Sequence, residues 1–243
     1  MYQQILRYIS NLYSNLKQKI NQENLSTPTR KRLFYSRIII MFVLMIIVIT
    51  NTFTATAVQT RRISCLWDFL LEATSLINQY FFKHEIARNI LLIITSAAMD
   101  ILVLYHAISF MLWGNSLKPV IWLILYIGLW FLFQWIFLMR FPSGFTWGYP
   151  GFPSLTISYI KSADFYFSAR MGALVYFGIL SHEKKNKYLT WAAIINIILS
   201  FWMMIFFRAH YSIDLIFGGI FGHYCIIISE KISPWIDKKT KLQ

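Results

Sequence analysis

The sequence predicts an all-α, polytopic integral membrane protein with six transmembrane helices and additional amphipathic helices at the membrane surface. Composition is the first observation behind this fold class. Hydrophobic residues make up 57% of the 243 residues and charged residues only 14%, whereas soluble domains carry about 25% charged residues. The second is that the apolar residues form long runs, and about 20 helical residues are needed to cross the hydrocarbon core of a bilayer. These features exclude an ordinary soluble enzyme.

Six apolar runs are predicted as transmembrane helices. They cover residues 38–58, 89–113, 120–139, 164–180, 189–207 and 211–228. Segment 63–82 is also apolar, but Asp68, Glu72 and Gln79 interrupt it. We therefore expect this segment to lie on the membrane surface. Residues 1–20 repeat isoleucine and leucine at helical spacing among polar residues, which predicts another surface helix.

The predicted organisation has three parts. They are an amphipathic and basic N-terminal segment (1–33), a six-span membrane domain (34–231) and a basic C-terminal tail (232–243). An even number of spans places both termini on one side, together with 15 of the 23 Lys and Arg residues. The positive-inside rule assigns that side to the cytosol or the mitochondrial matrix. The membrane itself stays open between the mitochondrial inner membrane and the ER or Golgi.

The net charge of +13 does not indicate a nucleic-acid partner, because most basic residues flank apolar runs and can meet anionic lipid headgroups. We expect phospholipids and other membrane protein subunits as partners. We expect no cofactor and no metal ion, since the two cysteines lie in unrelated segments.

Ionisable residues are concentrated in two short stretches at the start of apolar runs, where charge is costly beside hydrocarbon. The stretch SADFYFSARMG contains Asp164, Ser168 and Arg170, and the stretch FRAHYSIDLIFGG contains Arg208, His210 and Asp214. The predicted topology brings both stretches to the membrane face opposite the termini. Arg140, which opens the Pro- and Gly-rich loop 140–161, falls on the same face.

His210 and Asp214 are four residues apart, so they share one face of a helix. A carboxylate beside one imidazole nitrogen fixes the tautomer and makes the other nitrogen more nucleophilic. Arg208 and Arg140 could supply the forked donors that fit a phosphate. The pattern therefore predicts phosphoryl transfer through a phosphohistidine, with a simple helix-capping interaction as the structural alternative.

The stretch around His210 resembles the second catalytic motif, H-Y-[ST]-x-D, of the sphingomyelin synthases and phosphatidylcholine:diacylglycerol cholinephosphotransferases. The stretch around Arg170 is similar to the earlier motif of this family, an acidic residue followed by F-S-G-H. The Arg140 loop is more loosely similar to a preceding Arg–Pro motif, so the resemblance covers residues 140–230. It implies a PAP2-like bundle that acts as a lipid phosphotransferase. The K-x6-R-P and S-R-x5-H signatures of the related phosphatases do not occur in the sequence.

The resemblance implies that His210 attacks the lipid phosphorus, that Asp214 orients it, and that the F-S-G-H histidine protonates the leaving diacylglycerol. Here Arg170 replaces that histidine and Ala169 replaces the glycine. A guanidinium with a pKa above about 12 cannot act as a general acid, although its donors bind phosphate well. General acid–base help contributes about 10²–10⁴ in rate. No other histidine is well placed to substitute unless His84 folds in from the predicted surface helix.

The main hypothesis is therefore a degenerate, catalytically impaired lipid phosphotransferase that acts as a lipid-binding or structural subunit of a larger membrane complex. In it, Arg170, Arg208, Arg140, Ser168 and Asp164 bind the phosphate headgroup. The alternative is an active phosphocholine transferase that uses His210.

Other features receive structural interpretations. Asp100 and His106 on one predicted span could form an ion path, but a hydrogen-bonded acid against a neighbouring helix is favoured. Gly218 and Gly222 predict close packing between helices.

Overall fold

The computed structural model describes residues 2–25, 27–57, 66–137, 139, 141–157, 159 and 166–240. Within these ranges the secondary structure is helical, without strands. The helices are α1 (Tyr2–Asn24), α2 (Pro28–Ala57), α3 (Phe69–Ala73), α4 (Ser75–Lys83), α5 (Glu85–Trp113), α6 (Lys118–Ile136), α7 (Ala169–Glu183), α8 (Lys187–Phe206) and α9 (Ser212–Lys239). The predicted all-α class is confirmed.

Each predicted transmembrane run overlaps one helix, namely α2 and α5 to α9. Among the described residues, four helices are long and apolar enough to cross a membrane: α5, α6, α8 and α9. Helix α7 has 15 residues, fewer than the roughly 20 that a bilayer-spanning helix needs. The structure therefore supports a membrane-embedded helical protein with four candidate spans, and the number six stays a prediction.

Helix α9 ends at Lys239, well beyond the predicted end of its apolar run at residue 228. Its last turns bury Ser229, Ser233 and Asp237 along one face, and Pro234 lies inside the helix. The Asp237 carboxylate accepts a hydrogen bond from the Leu117 backbone N–H at 2.8 Å. Apolarity alone could not predict this extension, because the buried face of these turns is polar and contacts the start of α6.

The predicted surface helix 63–82 forms two short helices in its described part, α3 and α4. The Asp68 side chain begins α3 by accepting from the backbone N–H groups of Leu70 and Leu71. Asp68 and Asn78 are buried, so the polar residues of this segment do not all face water or headgroups. They contact the helix bundle, as described below.

Helix α7 lies at the centre of the bundle and packs against α8 and α9. The contact with α9 depends on glycine. A Cβ on Gly218 would lie 2.5 Å from the Ser168 carbonyl oxygen, and one on Gly222 would lie 2.7 Å from the Cα of Gly172. The predicted close packing at Gly218 and Gly222 is therefore confirmed. It brings the first turn of α7 against the second turn of α9.

Candidate functional site

The histidine–aspartate pair forms at the start of α9. Helix α8 ends at Phe206, a tight turn follows, and α9 begins at Ser212. Asp214 lies in the first turn, where its Oδ2 accepts from the Tyr211 backbone N–H at 2.9 Å, as expected for an acid near a helix N-terminus. The same Oδ2 lies 3.5 Å from His210 Nδ1. The structure thus brings together the two residues that the spacing predicted, and the carboxylate that caps α9 also lies beside the His210 imidazole.

Asp214 also joins α9 to the stretch before α7. Its Oδ1 accepts from the Tyr166 backbone N–H at 2.9 Å, and its carbonyl oxygen accepts from the Ser168 backbone N–H at 2.9 Å. The Asp214 side chain is fully buried. A buried carboxylate needs hydrogen bonds to replace those it made with water, and backbone N–H groups supply them here.

Ser168 is a structural junction as well as a predicted headgroup ligand. Its side chain is fully buried, with Oγ 3.7 Å from the Met204 sulfur. The Tyr126 hydroxyl donates to the Ser168 carbonyl oxygen at 3.0 Å. Ser168 therefore fixes the start of α7 between α6 and α9.

Arg208 connects the turn before α9 to α3. It has a left-handed backbone with φ 52°, and its Nη2 donates to the Leu71 carbonyl oxygen of α3 at 2.9 Å. A weaker contact of 3.5 Å joins Nη1 to Ser143 Oγ. Some of the guanidinium donors that were predicted to bind phosphate therefore already make hydrogen bonds within the protein.

Helices α3 and α4 contribute contacts that the sequence did not predict. Asp68 Oδ2 accepts from the Ser212 backbone N–H at 2.6 Å. Asn78 Nδ2 donates to the carbonyl oxygens of Gly144 at 3.0 Å and Phe206 at 2.8 Å. The polar residues that interrupt segment 63–82 were the sequence feature that could have indicated these contacts, because buried polar side chains need hydrogen-bond partners.

Arg170 lies in the first turn of α7 and is 7% exposed. Its three guanidinium nitrogens are buried, and none has a hydrogen-bond partner in the described part of the chain. It lies within electrostatic reach of Tyr159 and Asp100. Burial raises the pKa of the Tyr159 phenol, and the positive charge of Arg170 acts in the opposite direction. A buried guanidinium without acceptors is costly, and an anionic partner would lower that cost.

Asp100 binds the loop rather than a neighbouring helix. Its carboxylate accepts hydrogen bonds from Ser154 Oγ at 3.0 Å, the Leu155 N–H at 3.1 Å and the Thr156 N–H at 3.0 Å. His106 Nε2 instead lies 2.9 Å from Ser181 Oγ on α7. The favoured interpretation, a hydrogen-bonded acid, therefore holds with a loop as the partner. The two candidate members of an ion path contact different elements.

The remaining histidines lie elsewhere. His84 is exposed and its ring lies 4.3 Å from that of Tyr80, so it does not fold into the bundle. His182 and His223 are exposed, and His106 pairs with Ser181. Arg140 and Asp164 fall outside the described residues. Of the predicted site residues in the described part, the structure joins Asp214 with His210 and Ser168. Arg208 binds Leu71 instead, and Arg170 lies within electrostatic reach of Tyr159 and Asp100.

The described residues contain no cluster of three or more His, Cys, Asp or Glu side chains that could hold a metal ion. Comparison with protein-family models, curated proteins and solved structures finds no match for this chain.

Proposed function

We propose that this protein is a membrane-embedded, catalytically impaired relative of the lipid headgroup phosphotransferases that binds the phosphate of a phospholipid at Arg170. The observation that carries the proposal is the buried Arg170 guanidinium, whose three nitrogens lack acceptors in the described part of the chain. A phosphate diester offers oxygens that match this fork of donors. In a bilayer, phospholipid headgroups are the abundant source of such a group.

Loss of turnover follows from the chemistry of the same residue. Transfer requires the bond between phosphorus and the diacylglycerol oxygen to break, and the departing oxygen needs a proton. In the resembling family a histidine supplies that proton, and arginine replaces it here. The other described histidines do not occupy its position, since His84 is exposed beside Tyr80 and His106 contacts Ser181.

Binding is tested with the full-length protein, delipidated in detergent and titrated with dihexanoyl phosphatidylcholine or, separately, with inorganic phosphate. We expect Arg170→Gln to weaken binding at least about ten-fold, since hydrogen bonds to a charged group contribute about 1.5–3 kcal/mol each. Arg88→Gln is the matched control, because Arg88 pairs with Glu85 at the start of α5. Equal binding by the wild type and both variants would refute the proposal. Binding of phosphate alone would identify a free-anion site instead of a headgroup site.

An active transferase is the second candidate, and the His210–Asp214 geometry favours it. Asp214 Oδ2 lies 3.5 Å from His210 Nδ1, on the side of the imidazole that an orienting acid occupies when the other ring nitrogen attacks phosphorus. The discriminating assay follows labelled phosphocholine from phosphatidylcholine to an acceptor lipid. We expect no transfer by the wild type and partial transfer by Arg170→His. Efficient wild-type transfer that His210→Ala abolishes would establish the second candidate.

The proposal extends to six spans, adding α2 and α7 to the four candidate spans, and to a structural role in a larger membrane complex. The charge distribution supports placing both termini on the cytosolic or matrix side, in either the mitochondrial inner membrane or the ER or Golgi. Native mass of the gently solubilised protein tests the complex: a defined particle with other chains is expected, and a lone monomer would argue for an independent lipid-binding protein.

A further inference from the structure

We propose that Asn196 on α8 is a second phosphate ligand at the Arg170 site, so that the phosphate oxygens are held between α7 and α8. The inference rests on the proposed function, the binding of a headgroup phosphate at Arg170, and extends that site to a residue of another helix. Asn196 is 2% exposed. Its Nδ2 is buried and has no hydrogen-bond partner in the described part of the chain, like the three nitrogens of Arg170.

The Asn196 amide is held with its donor end unpaired. Ser200 Oγ donates to Asn196 Oδ1 at 3.1 Å, which uses the oxygen and leaves the NH₂ group. An amide NH₂ offers two donors and no acceptor, as a guanidinium offers only donors. Leaving such a group buried and unpaired costs free energy, and one anion between the two side chains would satisfy both.

Helix packing places Asn196 on the same level of the bundle as the first turn of α7. Leu174 of α7 and Ala193 of α8 lie in one buried cluster. Arg170 is one turn before Leu174, and Asn196 is one turn after Ala193, on the same helix faces as these two residues. Because α7 and α8 are antiparallel neighbours joined by a short loop, both steps lead toward the same end of the bundle.

Helix α5 adds a third buried polar residue to this level. Thr95 Oγ1 lies 3.1 Å from the Met203 sulfur, and Met99 packs with Ala193. Ser96 is 2% exposed and therefore lies opposite the α8 stretch between these two contacts, which contains the amide.

The loop residue Tyr159 connects this level to the guanidinium. Its hydroxyl interacts with the Ser96 side chain and lies within electrostatic reach of Arg170. Buried polar side chains of α5, α7 and α8 therefore meet in one layer of the bundle. The apolar cluster of Met99, Leu174 and Ala193 lies one turn further from the His210 end.

An anion fits this layer better than a neutral occupant does, because the guanidinium carries a charge as well as donors. Asp100 is the acid within electrostatic reach of Arg170. Its carboxylate, however, accepts hydrogen bonds from residues 154–156 of the loop, and the guanidinium nitrogens have no partner in the described ranges. The oxygens of a phosphate diester can accept from both Arg170 and Asn196.

A titration of the full-length, delipidated protein with dihexanoyl phosphatidylcholine in detergent tests the ligand role. We expect Asn196→Leu to weaken binding about ten-fold, the effect of one lost hydrogen bond to a charged group. Gln134→Leu is the matched control, because Gln134 on α6 is 4% exposed and its Nε2 also lacks a partner in the described part. That variant should bind as the wild type does.

The two proposals fail in different ways in this titration. Binding that Arg170→Gln weakens and Asn196→Leu does not would leave the headgroup site in place and overturn the inference. Equal losses in Asn196→Leu and Gln134→Leu would also overturn it, because removal of any buried amide would then have the same effect. Binding that survives Arg170→Gln would refute the proposed function, and the inference with it.

A charge placed at position 196 tests the juxtaposition without any ligand. In Asn196→Asp the new carboxylate takes the place of the anion beside Arg170, so we expect the thermal unfolding midpoint of the delipidated protein to rise by about 2–4 °C. In the Arg170→Gln background the same substitution should lower the midpoint, since the carboxylate would be buried without a cation. A lower midpoint for Asn196→Asp with Arg170 present would show that the two side chains do not meet and would overturn the inference.

Discussion

Asp214 is the residue on which the candidate site depends. One carboxylate begins α9 through Tyr211, holds Tyr166 before α7 and lies beside His210. Arg170 is the opposite case. Its guanidinium is buried, and none of the three nitrogens has a hydrogen-bond acceptor in the described part of the chain. The fold satisfies the Asp214 carboxylate, whereas the headgroup binding that we propose would supply the acceptors that Arg170 lacks in the described part of the chain.

Asp214→Asn tests the structural role of the carboxylate. Asparagine has a single side-chain oxygen, so one of the two backbone N–H groups would face an NH₂ group instead of an acceptor. We expect the free energy of unfolding to fall by about 2 kcal/mol, the cost of one unsatisfied buried donor, measured as a lower unfolding midpoint in detergent. Glu72→Gln alters an exposed acid and should change stability by less than about 0.5 kcal/mol. Equal unfolding midpoints for the wild type and Asp214→Asn would show that the two hydrogen bonds from backbone N–H groups contribute little to stability.

At the scale of elements, the contact between α7 and α9 fixes the site. Gly218 allows the backbone of Ser168 to approach α9, and Gly222 allows Gly172 to do so. The same approach positions Ser168 N–H to donate to the Asp214 carbonyl oxygen. The same contact therefore packs the two helices and assembles the site. A larger side chain at Gly218 should disturb both.

Two neighbouring glycines give a matched test of this packing. Gly218→Ala places a Cβ 2.5 Å from the Ser168 carbonyl oxygen, and we expect overpacking to cost about 1–3 kcal/mol. Gly219→Ala places its Cβ 3.7 Å from Val175 Cγ2, an ordinary contact, and should be neutral or stabilising by up to about 1 kcal/mol through helix propensity. Thermal unfolding of both variants in the same detergent measures the difference. A Gly218→Ala variant as stable as Gly219→Ala would contradict the packing argument.

For the whole molecule, the start of α6, the end of α7 and the Glu230 turn of α9 meet in one charged cluster. Lys118 Nζ lies 3.0 Å from Glu183 and 2.7 Å from Glu230. Asp237 caps the start of α6 nearby. This cluster lies at the end of the bundle opposite the His210 turn, because α9 runs its length between them.

Single cysteines test the proposed topology in sealed vesicles, in a background with Cys65 and Cys225 replaced. Lys185→Cys, in the loop between α7 and α8, and Tyr149→Cys, in the loop before α7, are both exposed. We expect a membrane-impermeant maleimide to label one of them from outside and the other only after permeabilisation. A cysteine placed at either terminus should be labelled from the same side of the membrane as Lys185→Cys. Labelling of both loops from the same side would refute the proposed orientation.

Element positions followed from the sequence because long apolar runs have few alternatives to a helix. Each predicted run overlaps a helix, and the spacing of His210 and Asp214 indicated their contact. Segment 63–82 was less predictable. Its interruptions indicated exposure, yet Asp68 and Asn78 are buried because backbone groups of Ser212, Gly144 and Phe206 bind them. Partners more than 60 residues away leave no periodic signal in the sequence.

The sequence by itself determined a membrane-embedded helical class, the close approach at Gly218 and Gly222, and the pairing of His210 with Asp214. All three depend on local spacing along a helix or on composition. Only the tertiary structure decided that Arg208 binds Leu71 while Arg170 stays without an acceptor in the described part of the chain. The reason is that hydrogen-bond satisfaction in an interior depends on what distant elements bring to each donor, and neighbours in sequence do not specify it.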